Sequence, residues 1–183
     1  MRFVIFFILT FFCLVSLAQE QSIDTVFWNS DIRLRQSDFL ASPDTSSVEL
    51  KDKKAVSSVE IVASGFWEQG LPNFTVRALF LRYESWFIET LYIDRILDHE
   101  QLHFDITELY ARKIRCKIRE LRRMKCKEVK IYISAIQELL EERLVFDKNY
   151  DRLTNHGRNF DVQMSWNENV KKELESLEKY ILH

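Results

Sequence analysis

Two histidines four residues apart, with a glutamate directly after the first, form the pentapeptide His99-Glu100-Gln101-Leu102-His103. On an α-helix, with about 3.6 residues per turn, positions i and i+4 stand one above the other on one face. Two imidazoles so placed can reach one Zn2+, with ring nitrogens about 2.0–2.1 Å from the metal. Glu100, rotated by about 100° from His99, flanks that metal and can act on a bound water without being a ligand. This is the geometry a zinc hydrolase needs.

The surroundings support a metal over a chance pattern. Ile88, Tyr92 and Ile96, then His99 and His103, then Ile106 and Tyr110 recur at spacings of three or four, which marks one buried helical face. An imidazole on that stripe costs free energy if unpaired, and a metal would satisfy it. The competing explanation is an amphipathic helix with two half-buried polar histidines.

A catalytic zinc takes three protein ligands and keeps one position for water. At about 100° per residue, Asp105 and Glu108 fall well away from His99, so neither suits as the third. They are expected to face solvent or hold neighbouring elements, and one could bond a ligand imidazole. Three sources remain. His156, in the polar stretch Tyr150–Gly157, ranks first, because Gly157 permits a tight turn and loops carry functional residues. Asp151 is second, and an acid among Glu138, Glu141 and Glu142 third. Tyr150 could donate a hydrogen bond to an oxyanion, or could simply pack its ring in the core.

The elements that must position these residues change character along the chain. Residues 23–40 alternate loosely and suggest a strand pair or a strand and loop, and 41–54 a loop rich in Ser, Asp and Lys. Ala55–Phe66 and Phe74–Tyr83 are expected strands around a turn at 65–73. The second of them, were it the sheet edge over the metal, could align an extended peptide. Helices are expected from Trp86 to about Lys125, from about Glu128 to Phe146, and from near Asn167 to Leu182, with a polar break over 147–159. Strands first and helices afterwards predict an α+β domain, the metal helix packed on a small, mainly antiparallel sheet.

The N-terminus reads as a secretory signal peptide over residues 1–18. Met1-Arg2 is followed by the apolar run Phe3–Leu14, and Ser16 and Ala18 supply small residues before Gln19. Cys13 lacks the small neighbours of a lipoprotein cleavage site, and no later stretch is apolar enough to span a bilayer. Residues 19–183 then form one domain. The formal net charge of −2 argues against a nucleic-acid partner. Cys116 and Cys126 could pair in an oxidising compartment, but on one unbroken helix they stand about 15 Å apart, beyond disulfide reach.

The run Leu97–Arg115 resembles a bacterial family of predicted secreted zinc-dependent proteases, carried as a domain of unknown function. Trp28 with Leu34 and Ser37-Asp38-Phe39, the Ser85-Trp86 step, and the block Tyr150-Asp151, Thr154, His156-Gly157 with Gln163 and Trp166 follow the same pattern. The chain departs from it at Arg35-Gln36, where the family carries an aromatic residue. The resemblance implies a zincin-like fold and metallopeptidase chemistry. The expectation is therefore an exported single-domain zinc metallohydrolase, a peptidase acting on peptide or protein substrates. His99, His103 and His156 would hold Zn2+, and Glu100 would be the general base. The alternative is an exported or envelope-associated binding module with a closed, structural zinc site, which Asp151 joining His156 would mark.

Overall fold

The computed structural model describes residues 25–44 and 53–182. The signal peptide, Cys13, the middle of the 41–54 loop and His183 lie outside them. Among the described residues no helix is long and apolar enough to cross a membrane. The order is β1 (Thr25–Phe27), β2 (Ala55–Val56), β3 (Val59–Glu68), β4 (Leu71–Leu81), β5 (Trp86–Phe87), α1 (Ile93–Arg123), α2 (Val129–Thr154) and α3 (Phe160–Ser176), with short 3-10 turns between and after them. The fold is α+β.

β1, β4 and β3 form an antiparallel sheet in that order, and β2 pairs antiparallel with β5. The β3–β4 hairpin turns through Gln69 and Gly70, both at positive φ (53° and 74°), with Glu68 opposite Leu71. Two left-handed residues in a two-residue loop match the twist of the flanking strands. Alternation then sets the inner face. Val59, Ile61 and Ala63 stand opposite Phe80, Ala78 and Val76, and those three β4 side chains are buried.

α1 is the axis of the domain. Phe104, Ala111, Ile114, Ile118 and Leu121 pack on the sheet side, while Leu102, Ile106, Leu109 and Tyr110 pack toward α2 and α3. A helix apolar on two faces is a buried one. Ion pairs fix it as well. Glu108, 3 % exposed in its side chain, binds Arg112 Nε at 2.9 Å and Arg115 at 2.9 and 3.1 Å. Those guanidinium groups also donate to the carbonyls of Leu174, Val76 and Tyr180. Glu108 therefore ties α1 to the sheet and to the C-terminal segment.

Several expected boundaries move. Trp86-Phe87 is a strand, and α1 starts only at Ile93. β4 is the central strand, so it cannot be an exposed sheet edge. α2 runs eight residues beyond Phe146, which makes Asp147–Thr154 helical and puts Tyr150 and Asp151 on a helix; α3 begins at Phe160. Polar residues there line the inner face of a helix, where their partners are the histidines of α1. Cys116 and Cys126 are separate thiols.

Candidate metal centre

α1 and α2 run antiparallel across the site, and each presents a pair four residues apart. His99 and His103 face Asp151 and Asp147. Asp151 Oδ1 lies 3.1 Å from His99 Nε2 and 3.2 Å from His103 Nε2, and the two Nε2 atoms are 3.3 Å apart. Both histidines are buried, at 4 % and 8 % exposure.

The outer nitrogens settle the tautomers. Asp98 carboxylate can only accept, and it takes a hydrogen bond from Asn167 Nδ2 at 2.7 Å. Asn167 must then turn Oδ1 to Gln163 Nε2, at 2.8 Å, which leaves Gln163 Oε1 facing His99 Nδ1 at 3.0 Å. Nδ1 of His99 therefore carries the hydrogen. His103 Nδ1 likewise donates to Asp147 Oδ1 at 2.8 Å. Both Nε2 atoms are left with lone pairs aimed at each other and at a carboxylate oxygen. Three acceptors in one triangle require a cation or a proton among them.

The triangle has the right size for a metal. In a tetrahedral site with bonds of about 2.0–2.1 Å, neighbouring donors stand about 3.3–3.4 Å apart. Without a metal, a proton takes that place. Burial opposes charge on His103, but hydrogen bonds to Asp147 and Asp151 outweigh it and raise its pKa to about 10. Burial would raise the Asp151 carboxyl too, yet the bonds from His103 and His99 hold it well below the usual carboxylate range.

His156 approaches from the exposed side, its side chain 42 % accessible, with Nδ1 3.2 Å from Asp151 Oδ1. Donor atoms of His99, Asp151 and His156 all lie within 4.8 Å of one another and could hold a metal ion. The chain reaches this position through Asn155, His156 and Gly157, with φ of 49°, 53° and 75°. Two consecutive non-glycine residues in the left-handed region are costly and persist where the surroundings impose them. Gly157 also sits against His99, where an added Cβ would lie 3.0 Å from Cβ and Cγ of that ring.

Asp151, ranked below His156 from the sequence, thus makes the central contact, and His156 joins it. Glu142 instead accepts from Tyr110, and Glu138 from Ser134, both away from the cluster. Glu141 is exposed and does not line the cleft. Asp105 and Glu108 do hold neighbouring elements; Asp105 accepts from Trp28 Nε1 at 2.8 Å and from Gln101. The imidazole partners are Asp147 and Gln163. Asp147 was legible only once α2 is extended, since it precedes Asp151 by one i, i+4 step.

Glu100 is buried, and Ser57 donates to its Oε2 from N at 3.0 Å and Oγ at 2.6 Å. It lines a cleft of about 610 Å³ together with His99, His103, Asp151, His156 and the β2 segment Lys53–Ser57. Tyr150 does not line that cleft. Its ring stacks on His99 at 4.7 Å, and its hydroxyl, fully buried, lies 3.0 Å from the His99 carbonyl and 2.9 Å from Gln163 Oε1. The phenol, pushed up by burial, stays protonated. Tyr150 therefore positions His99 and is not placed as an oxyanion donor.

No curated protein and no solved structure matches the chain significantly. Over residues 84–157, which run from the end of the sheet through α1 and α2 to Gly157 and so carry His99, Glu100, His103, Asp147, Asp151 and His156, the chain matches the profile of a bacterial protein of unknown function (DUF922).

Proposed function

We propose that this chain is an exported zinc-dependent metallohydrolase of the peptidase type, with a zincin-like arrangement of helix, sheet and cleft. The observation that carries this reading is the triangle of His99 Nε2, His103 Nε2 and Asp151 Oδ1, whose edges of 3.1–3.3 Å fit a zinc ion and whose tautomers leave lone pairs at its centre. His99, His103 and Asp151 would hold the zinc, which would supply a Lewis acid for the scissile carbonyl and acidify a bound water toward neutrality. Gln163 and Asp147 hold the imidazoles in the ligating tautomer. Glu100 takes the proton of the attacking water and passes it to the leaving amine. Ser57 anchors Oε2 of Glu100, and Oε1 has no protein partner among the described residues. An extended substrate has β2, not β4, beside the cleft, and β2 pairs only with β5 among the described residues.

The test is peptide cleavage by the purified zinc-loaded chain and by Glu100→Gln. Loss of at least about 100-fold in kcat/KM with zinc retained would support the reading. Equal background rates in both would remove it.

A second reading rests on a separate observation. His156 Nδ1 lies 3.2 Å from Asp151 Oδ1, and the two group with His99 as donors that could hold one ion, so His156 can enter the ligand set that a closed structural zinc site in a binding module would need. In that case His156→Ala lowers folding stability and zinc affinity together, and no peptide is cleaved. In the catalytic reading His156→Ala weakens zinc without abolishing its binding.

A further inference from the structure

We propose that the cleft selects peptides with carboxylate side chains on either side of a neutral scissile bond, an inference that rests on the peptidase reading and names its substrate class. Charge in the cleft is graded by burial. Its carboxylates are buried or half-buried and already engaged: Glu100 by Ser57, Asp147 by His103, and Asp151 by His99 and His103. Its cations come from three separate segments, Lys53 and Lys54 before β2, Arg95 on α1 and Arg158 after the left-handed turn, and all but Lys53 are exposed.

Their placement is specific. Arg95 stands four residues before His99, on the same face of α1 and one turn nearer its N-terminus, and lines the cleft. Its guanidinium is held by rings, 5.8 Å from the centre of Tyr92 and 5.3 Å from that of Phe160. A cation positioned over aromatic rings keeps its N–H donors for a ligand. Lys53 Nζ reaches Asp151 Oδ2 at 3.5 Å, so one cation of the cleft borders the metal cluster itself. Among the described residues neither Lys54 nor Arg95 has a carboxylate partner. A ligand with dense negative charge at its centre would meet the carboxylates around the metal cluster. One with a neutral amide at the centre and carboxylates flanking it meets like with unlike throughout.

The experiment measures binding, so that it does not depend on turnover. The probe is a short fluorescein-labelled peptide with glutamates on both sides of a central aromatic residue. Its glutamine isostere and its C-terminally amidated form are run beside it. Fluorescence anisotropy is read on the zinc-loaded Glu100→Gln protein, alone and with Lys54→Gln and Arg95→Gln added. The inference expects the glutamine isostere to bind about tenfold more weakly, and the added substitutions to remove that difference. Amidation should change little, because the carboxylates recognised are side chains. Raised salt should weaken only the glutamate peptide. Equal binding of the glutamate and glutamine peptides would overturn the inference, as would loss of binding on amidation alone or displacement by inorganic phosphate at equal concentration. Glutamate selectivity in a protein that cleaves nothing would remove the peptidase reading and, with it, the scissile bond, leaving only the selection of acidic peptides by the cleft. Cleavage without selectivity would keep the peptidase reading and remove the inference.

Discussion

His99 Nδ1 lies 3.0 Å from Gln163 Oε1, so a residue of α3 decides which nitrogen of an α1 histidine faces the metal position. The decision is relayed from Asp98 through Asn167 by bonds of 2.7 and 2.8 Å. Gln163→Leu should lower zinc affinity about 10- to 100-fold, the usual effect of removing an imidazole's outer partner. Gln163→Glu, which still accepts from Nδ1–H, should retain most of it. A chelator-competition titration reads both. Equal affinities for the wild type and Gln163→Leu would show that the relay does not set the tautomer.

The turn after α2 gives a second prediction. Gly157 combines a φ of 75° with a Cβ position 3.0 Å from the His99 ring. Gly157→Ala should destabilise the fold by more than about 1 kcal/mol and displace His99. Thermal unfolding with and without zinc separates the two, since displacement also shrinks the stabilisation that zinc confers.

The Glu108 knot is independent of the metal. Glu108→Ala leaves buried Arg112 and half-buried Arg115 without their carboxylate, which costs about 3–5 kcal/mol. Urea unfolding should show this loss in metal-free and zinc-loaded protein alike. A loss confined to the zinc-loaded form would mean that Glu108 acts through the site.

The metal-free protein should show its own pH dependence. His103 has a folded pKa of about 10, above its ordinary 6.5, so the stability it contributes is complete below pH 6.5 and is lost as pH rises through about 10. Asp151 is shifted down, so its contribution is present above the ordinary carboxylate range and lost only in strong acid. Melting temperatures of the stripped protein should therefore fall from pH 7 to pH 10. Asp147→Asn, which weakens the pull on His103, should flatten that fall.

The sequence made the centre of this molecule legible and its edges less so. The pentapeptide sits on one face of an uninterrupted helical pattern, and α1 carries it as the spacing requires. Phe74–Tyr83 likewise reads as a strand, and its alternation puts Val76, Ala78 and Phe80 on one face, which is buried. Asp147–Thr154 misled because it is polar, and polarity suggests a loop until the facing histidines are known. Trp86-Phe87 misled because two residues cannot show a period, and their pairing with Ala55-Val56 is a long-range fact. The ligand order followed the same limit. His156 stood out by residue type, whereas the prominence of Asp151 comes from the antiparallel crossing of α1 and α2.

The most direct measurement is zinc per chain in purified protein, for the wild type, His103→Ala, Asp151→Ala and His156→Ala, by elemental analysis after dialysis against a weak chelator. One zinc is expected in the wild type, none in His103→Ala or Asp151→Ala, and a weakened but detectable occupancy in His156→Ala. A wild type without zinc, or full occupancy in Asp151→Ala, would contradict the zinc site.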